Sequence, residues 1–138
     1  MAKYHDVGIS GAAWTAATDL TTKQYYFVMP GSVAGEVVLA TGASNTTPLG
    51  VLQNSPSAGQ EAHVKVLGFS KVVAEIGSCN LTFGRYGFCA SDGQFEVQAS
   101  ATGAINARWM GANLTAAGSS IGEVLLFGGF GGCTLAQL

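Results

Sequence analysis

Short apolar runs separated by loops dense in Gly, Pro, Ser and Asn dominate the chain, and no stretch of a dozen residues holds a 3.6-residue period. The pattern therefore predicts strand after strand and no long helix. YYFVM (25–29) stops at the turn signal Pro30-Gly31, and GEVVLAT (35–41) follows it. GASNTTP (42–48) is a loop, LGVLQ (49–53) a short apolar strand, and NSPSAG (54–59) a second loop. Residues 61–76 alternate most clearly: Val64, Val66, Gly68, Ser70, Val72, Ala74 and Ile76 share one uncharged face, while His63, Lys65, Lys71 and Glu75 lie on the other with Leu67, Phe69 and Val73. Sixteen residues is long for one strand, so a bend or bulge at Gly68 is expected to divide the run in two. Asp92-Gly93 predicts a two-residue hairpin turn that pairs Ala90 with Phe95 and Phe88 with Val97, putting those four on one face. INARWMG (105–111) and EVLLFG (123–128) supply the last strands.

One segment occurs twice. PLGVLQNSPSAGQEAHVKVLG (48–68) is loosely repeated as ARWMGANLTAAGSSIGEVLLFG (107–128), with Ala58-Gly59 matching Ala117-Gly118. Each copy reads as a strand, a polar loop and a second strand ending at Gly. Neither holds a catalytic group that the other lacks, so the duplication is architectural. The body is thus an all-β, β-rich module over residues 24–128, flanked by an N-terminal arm (1–23) around Trp14 and a Gly-rich tail (129–138).

Length allows one domain with a real core. Charged residues are 10% of the chain, well under the ordinary quarter, and Gly is abundant. Such a surface suits contact with other protein better than contact with water, which predicts an oligomer or an assembled particle. A net charge of −2 and scattered basic residues exclude a phosphate-binding stripe and so argue against nucleic acid. No apolar run reaches membrane-spanning length, and the polar start Met1-Ala2-Lys3-Tyr4-His5-Asp6 shows no signal peptide, so synthesis in a cytoplasm is expected. Cys79, Cys89 and Cys133 are odd in number and lack metal-ligand spacing, which predicts free thiols.

Candidate chemistry is sparse. A hydrolytic triad needs a base, and only His5 and His63 are on offer; His63 falls on the mixed face of a strand, with no nucleophile motif near it. The acids at strand starts, Glu36, Glu61 and Glu123, read as solvated edges, and FGGFGG (127–132) has neither the Lys nor the following helix of a phosphate loop. The sequons at Asn45, Asn80 and Asn113 read as turn chemistry. No enzyme, cofactor or metal site is expected. Tyr4 and Trp14 are the residues expected to contact a partner surface.

PLGVLQNSPSAGQEAHVKVLGFSKVVA (48–74) resembles a segment of the small capsid-decoration (cement) proteins of tailed bacteriophages, through Gly50–Asn54, Ala58-Gly59 and the Val64–Gly68 strand. The Gly-Glu-Val-Leu-Leu strand (122–126) and the Met-Ala-x-Tyr opening add to the likeness, whereas GSCNLTFGRYG (77–87) departs from it. The resemblance implies a β-barrel or β-sandwich decoration domain, usually a homotrimer, that sits on the outside of the mature head against the major capsid protein. It implies a structural virion component without catalysis. A head fibre or host-surface binding module is the alternative, and a small hydrolase or a shell protein fits the sequence less well.

Overall fold

The computed structural model describes residues 8–10, 13–41, 48–77, 79–97 and 105–127; Tyr4, His5, Asn45, Cys133 and the tail lie outside the described residues. Eleven strands are present and, among the described residues, no helix. They are β1 (Gly8–Ser10), β2 (Trp14–Ala16), β3 (Phe27–Pro30), β4 (Glu36–Leu39), β5 (Gly50–Leu52) and β6 (Glu61–Ala62) in the first half. β7 (Val64–Glu75), β8 (Tyr86–Cys89), β9 (Phe95–Val97), β10 (Ala107–Trp109) and β11 (Ser119–Phe127) complete the chain. The all-β expectation holds, and of its two forms the barrel is the one adopted.

β7 is the spine of two closed rings. Its C-terminal part pairs antiparallel with β11 from Leu67↔Phe127 to Glu75↔Ser119. From β11 the ladder passes to β10, β8 and β9, and returns to β7 through Ala74↔Phe95, closing a five-stranded barrel. The start of β7 pairs with β5, and the ladder continues through β3 and β4 to β2. β2 pairs with β6, which runs through His63 into β7, so the chain itself closes a second, smaller ring. Closure removes most free strand edges from both rings.

Each ring has its own core. Phe95, Trp109, Val97, Val72, Ala74, Val124 and Leu126 fill the barrel, and Ala16, Leu20, Val28, Val37, Leu52, Ala62 and Val64 fill the smaller ring. Between them, β3 and β5 serve both: Phe27 and Val51 join the first core while Val28 and Leu52 join the second. Opposite faces of a strand alternate with a period of two, so a strand lying between two cores is buried on both sides. That is why Gly50, Val51 and Leu52 are all buried and why this stretch reads as an unbroken apolar run.

The barrel is sealed by Trp109. Its indole stacks near-parallel on Phe95 with ring centroids 5.8 Å apart, and its Nε1 donates to the Ala112 carbonyl at 2.9 Å. A β-carbon at Gly122 would overlap that indole, so glycine is what lets β11 pass beside the ring.

The two copies of the repeated segment form equivalent structures. β5 pairs antiparallel with β7 in the first, and β10 with β11 in the second. The matched glycines both adopt positive φ, 82° at Gly59 and 128° at Gly118. In the first copy Asn54 clamps the loop, donating to the Glu61 carbonyl (2.9 Å) and accepting from the His63 amide (2.9 Å).

Three expectations need revision. The 61–76 run divides at His63, not at Gly68, although the expected irregularity does occur beside Gly68, where the pairing of β1 with β7 skips Val66 (Ile9↔Leu67, Ser10↔Lys65). β7 passes through Gly68 without losing its pairing to β11, although Gly68 takes φ 91° at the changeover from one ring to the other. The β8–β9 hairpin exists, but its register is one residue from that expected: Cys89 faces Phe95 and Phe88 faces Glu96. Its loop has three residues, Ser91-Asp92-Gly93, with Gly93 at φ 83° and the Asp92 carboxylate accepting from the Gln94 amide at 3.1 Å. A one-residue slip exchanges the faces of a strand, so Cys89 enters the core and Phe88 lies outside it. Finally, the segment expected as an arm supplies β2, and Ala16 and Leu20 are buried in the second core.

Candidate interaction surface

The outer face of the β7–β11 ribbon departs most from an ordinary solvated sheet. Along β7, Ser70, Val72 and Ala74 point into the barrel, leaving Leu67, Phe69, Lys71, Val73 and Glu75 on the outside. Along β11, Val124 and Leu126 are buried while Ile121, Glu123, Leu125 and Phe127 alternate with them. Register joins these residues in rungs: Leu67 with Phe127, Phe69 with Leu125, Lys71 with Glu123, Val73 with Ile121. Opposed residues on one face are the contact unit of a sheet, so apolar rungs lie on either side of a Lys–Glu rung. Ile121 is 63% exposed and Leu67 39%.

The patch continues onto the next strands. Arg108 stands opposite Leu125 on one side and Tyr86 on the other. Its guanidinium carbon lies 5.3 Å from the Tyr86 ring centroid, and its Nε donates to the Gly84 carbonyl at 2.9 Å. Tyr86 meets the Phe127 ring at 6.0 Å. At the neighbouring turn Phe83 is 61% exposed, held there by its amide donating to Asn113 Oδ1 at 2.7 Å. Apolar groups tied in place and turned outward are a surface suited to meeting another protein.

Trp14 does not stand free. It is half-buried at the edge of the second core, in β2 opposite Ala62, with its ring N–H buried and without an acceptor among the described residues. Tyr4, its expected companion, lies outside the described residues. The outward apolar rungs were not singled out in the sequence, although the signal was present: Leu67, Phe69 and Val73 all fall on the charged side of the 61–76 alternation.

The titratable groups are dispersed. His63 is exposed and its Nε2 lies 2.8 Å from Glu61 Oε1 at the rim. Cys79 and Cys89 are free thiols, the second buried with its Sγ donating to the Ala90 carbonyl. Among the described residues no group of three or more His, Cys, Asp or Glu could hold a metal ion. Glu75 sits near Asp92 and Glu96, and its carboxyl is raised above the usual range first by burial and then by those two carboxylates.

No family model matches the chain, and no curated protein matches it. Among solved structures it resembles the N base of the head fibre gp8.5 of bacteriophage phi29. The two are 16% identical, the match covers 86% of this chain and 92% of that one, and the TM-score is 0.61. At that identity the likeness is one of fold.

Proposed function

We propose that this protein is a structural component of a phage virion that binds the outside of the mature capsid as a trimer and stabilises the head. The outward apolar face of β7 and β11 is the observation that carries the reading, because it gives a low-charge barrel a surface for a neighbouring subunit. The fold shared with a head fibre base supports a place on a phage head. A trimer seated where three capsid subunits meet touches all of them at once. Linking the three copies raises the effective concentration of each weak contact, and cyclic symmetry keeps the assembly closed. The major capsid protein and the chain itself are then the partners.

The test is co-sedimentation of purified protein with expanded, undecorated heads. Saturable binding supports the proposal, and a folded protein that stays in the supernatant refutes it. A second reading, the base of a head fibre that engages the host, has the fold likeness in its favour. Affinity for bacterial surfaces in the absence of binding to naked heads would select it.

A further inference from the structure

Beside the apolar patch, and sharing its Val73–Ile121 rung, the surface turns mostly polar. Where the two rings meet, an open groove of about 480 Å³ runs between the segment joining β2 to β3, the loop of the first repeat copy and the start of β11. Thr21, Thr22, Ser55 and Ser120 bring hydroxyls to it, Gln24 an amide and Tyr26 an aromatic ring. Among the described residues no charged side chain lines it, although the Lys23 ammonium stands over the ring of Tyr26 at its edge. Each copy of the repeat contributes one wall, the first through Ser55 in its loop and the second through Ser119-Ser120 at the start of β11.

The backbone beside the groove is strained. Tyr25 has φ 68°, the one non-glycine residue with positive φ among the described residues, and such a conformation is costly for an aromatic side chain. It is held by two hydrogen bonds, its amide donating to the Leu52 carbonyl (2.7 Å) and its carbonyl accepting from the Val73 amide (2.8 Å). Tyr25 packs against the barrel core while the next residue, Tyr26, lines the groove. Lys23 Nζ lies 4.6 Å from the centroid of the Tyr26 ring, which helps fix it. Gln24 is likewise anchored: its Nε2 donates to the Gln53 carbonyl at 2.8 Å, and its amide oxygen takes no bond among the described residues.

A ligand matched to this groove needs many hydroxyls, no net charge and an apolar ring face to lie against tyrosine. Hydroxyl and amide side chains exchange hydrogen bonds with water and with sugars on similar terms, so an open, wet groove favours a polyhydroxylated ligand over an apolar one. Its volume is within the ordinary range for a small-ligand cleft. We infer that the groove between the two rings is a binding site for a short neutral saccharide, with Tyr26 as the stacking platform and Gln24 and Ser120 as hydrogen-bonding partners. Sugar binding by the isolated chain needs neither a capsid nor a trimer, so the titration tests it separately from the virion reading, although the two surfaces share the Val73–Ile121 rung.

The probes are maltotriose, cellotriose and chitotriose, titrated separately into the isotopically labelled full chain and followed by amide chemical shifts. At least one should move the resonances of Gln24, Tyr26 and Ser120 saturably, with Kd of about 1 mM or tighter. Tyr26→Ala should weaken that binding at least about tenfold, the scale of a lost aromatic contact of 1.4 kcal/mol. Ser120→Glu, at an exposed position that leaves both cores untouched, should weaken it as well and guards against loss of folding in the first variant. Absence of localised shifts with all three sugars overturns the proposal. So does binding confined to an anionic sugar such as sialyllactose, or binding that both variants leave unchanged.

Discussion

The two rings share a strand but are built differently. The barrel closes around Trp109 and Phe95 and is framed by β7 and β11, which pair along the whole length of β11. The smaller ring's buried core is aliphatic, with Trp14 only at its edge, and it rests on strands of two to four residues, the start of β7 and Leu20 from the segment between β2 and β3. Aromatic rings carry more buried area per residue, and a long antiparallel ladder fixes more backbone in one cooperative unit. The barrel should therefore be the stable scaffold, with the smaller ring depending on it through β3, β5 and β7.

The strongest way to break the comparison is in the barrel core. Trp109→Ala removes the Phe95 stack and the bond to the Ala112 carbonyl, and should cost about 3–5 kcal/mol in urea unfolding. Both rings should lose amide protection together. Leu20→Ala in the smaller ring should cost about 2–3 kcal/mol. Here hydrogen exchange should accelerate over β2, β4 and β6 while β10 and β11 stay protected; uniform acceleration would mean that the rings unfold as one.

Gly122→Ala places a methyl against the Trp109 indole and should cost about 1–3 kcal/mol. Combined with Trp109→Leu the penalty should shrink, since the two positions touch and their effects will not add. A double-mutant cycle by thermal unfolding measures this coupling, and additivity would contradict the packing described.

The smallest effect concerns Glu75. Burial and the nearby Asp92 and Glu96 raise its carboxyl in the folded protein. The folded state then keeps this proton to higher pH than the unfolded chain does. Stability on this account falls as pH rises through the ordinary carboxylate range, and the full cost is present at neutrality. Glu75→Gln should raise Tm slightly at pH 7 and leave it unchanged near pH 3, where both states are protonated. A lower Tm at pH 7 would contradict the sign.

Strand content was legible because alternation and turn residues are local. β3, β4, β5, β7, β10 and β11 all fall on runs visible in the sequence, and the Ala-Gly match between the repeats marks two positive-φ turns. The hairpin register was not legible from Asp-Gly alone. A two-residue turn would have turned Phe88 inward beside Phe95. The observed register puts Gly87 there, where a β-carbon would overlap the Phe95 ring, and the cavity therefore selects the three-residue loop. Trp14 was misplaced for a related reason: three residues of strand become visible only through pairing with β4 and β6, which are distant in sequence. The outer patch and the groove are likewise products of closure. Leu67 and Phe127, or Ser55 and Ser120, lie more than 50 residues apart in sequence and meet only when β7 completes the rings.

The central proposal is that this barrel binds and cements a phage head, and the stoichiometry of saturation tests it most directly. Expanded, undecorated heads would be titrated with the purified full chain, and the bound copies per particle counted after sedimentation. The account predicts a plateau at three copies per local symmetry site, with decorated heads surviving heat or low salt that bursts bare ones. Heads that bind no protein, or bind it without a plateau and gain no resistance, would contradict it.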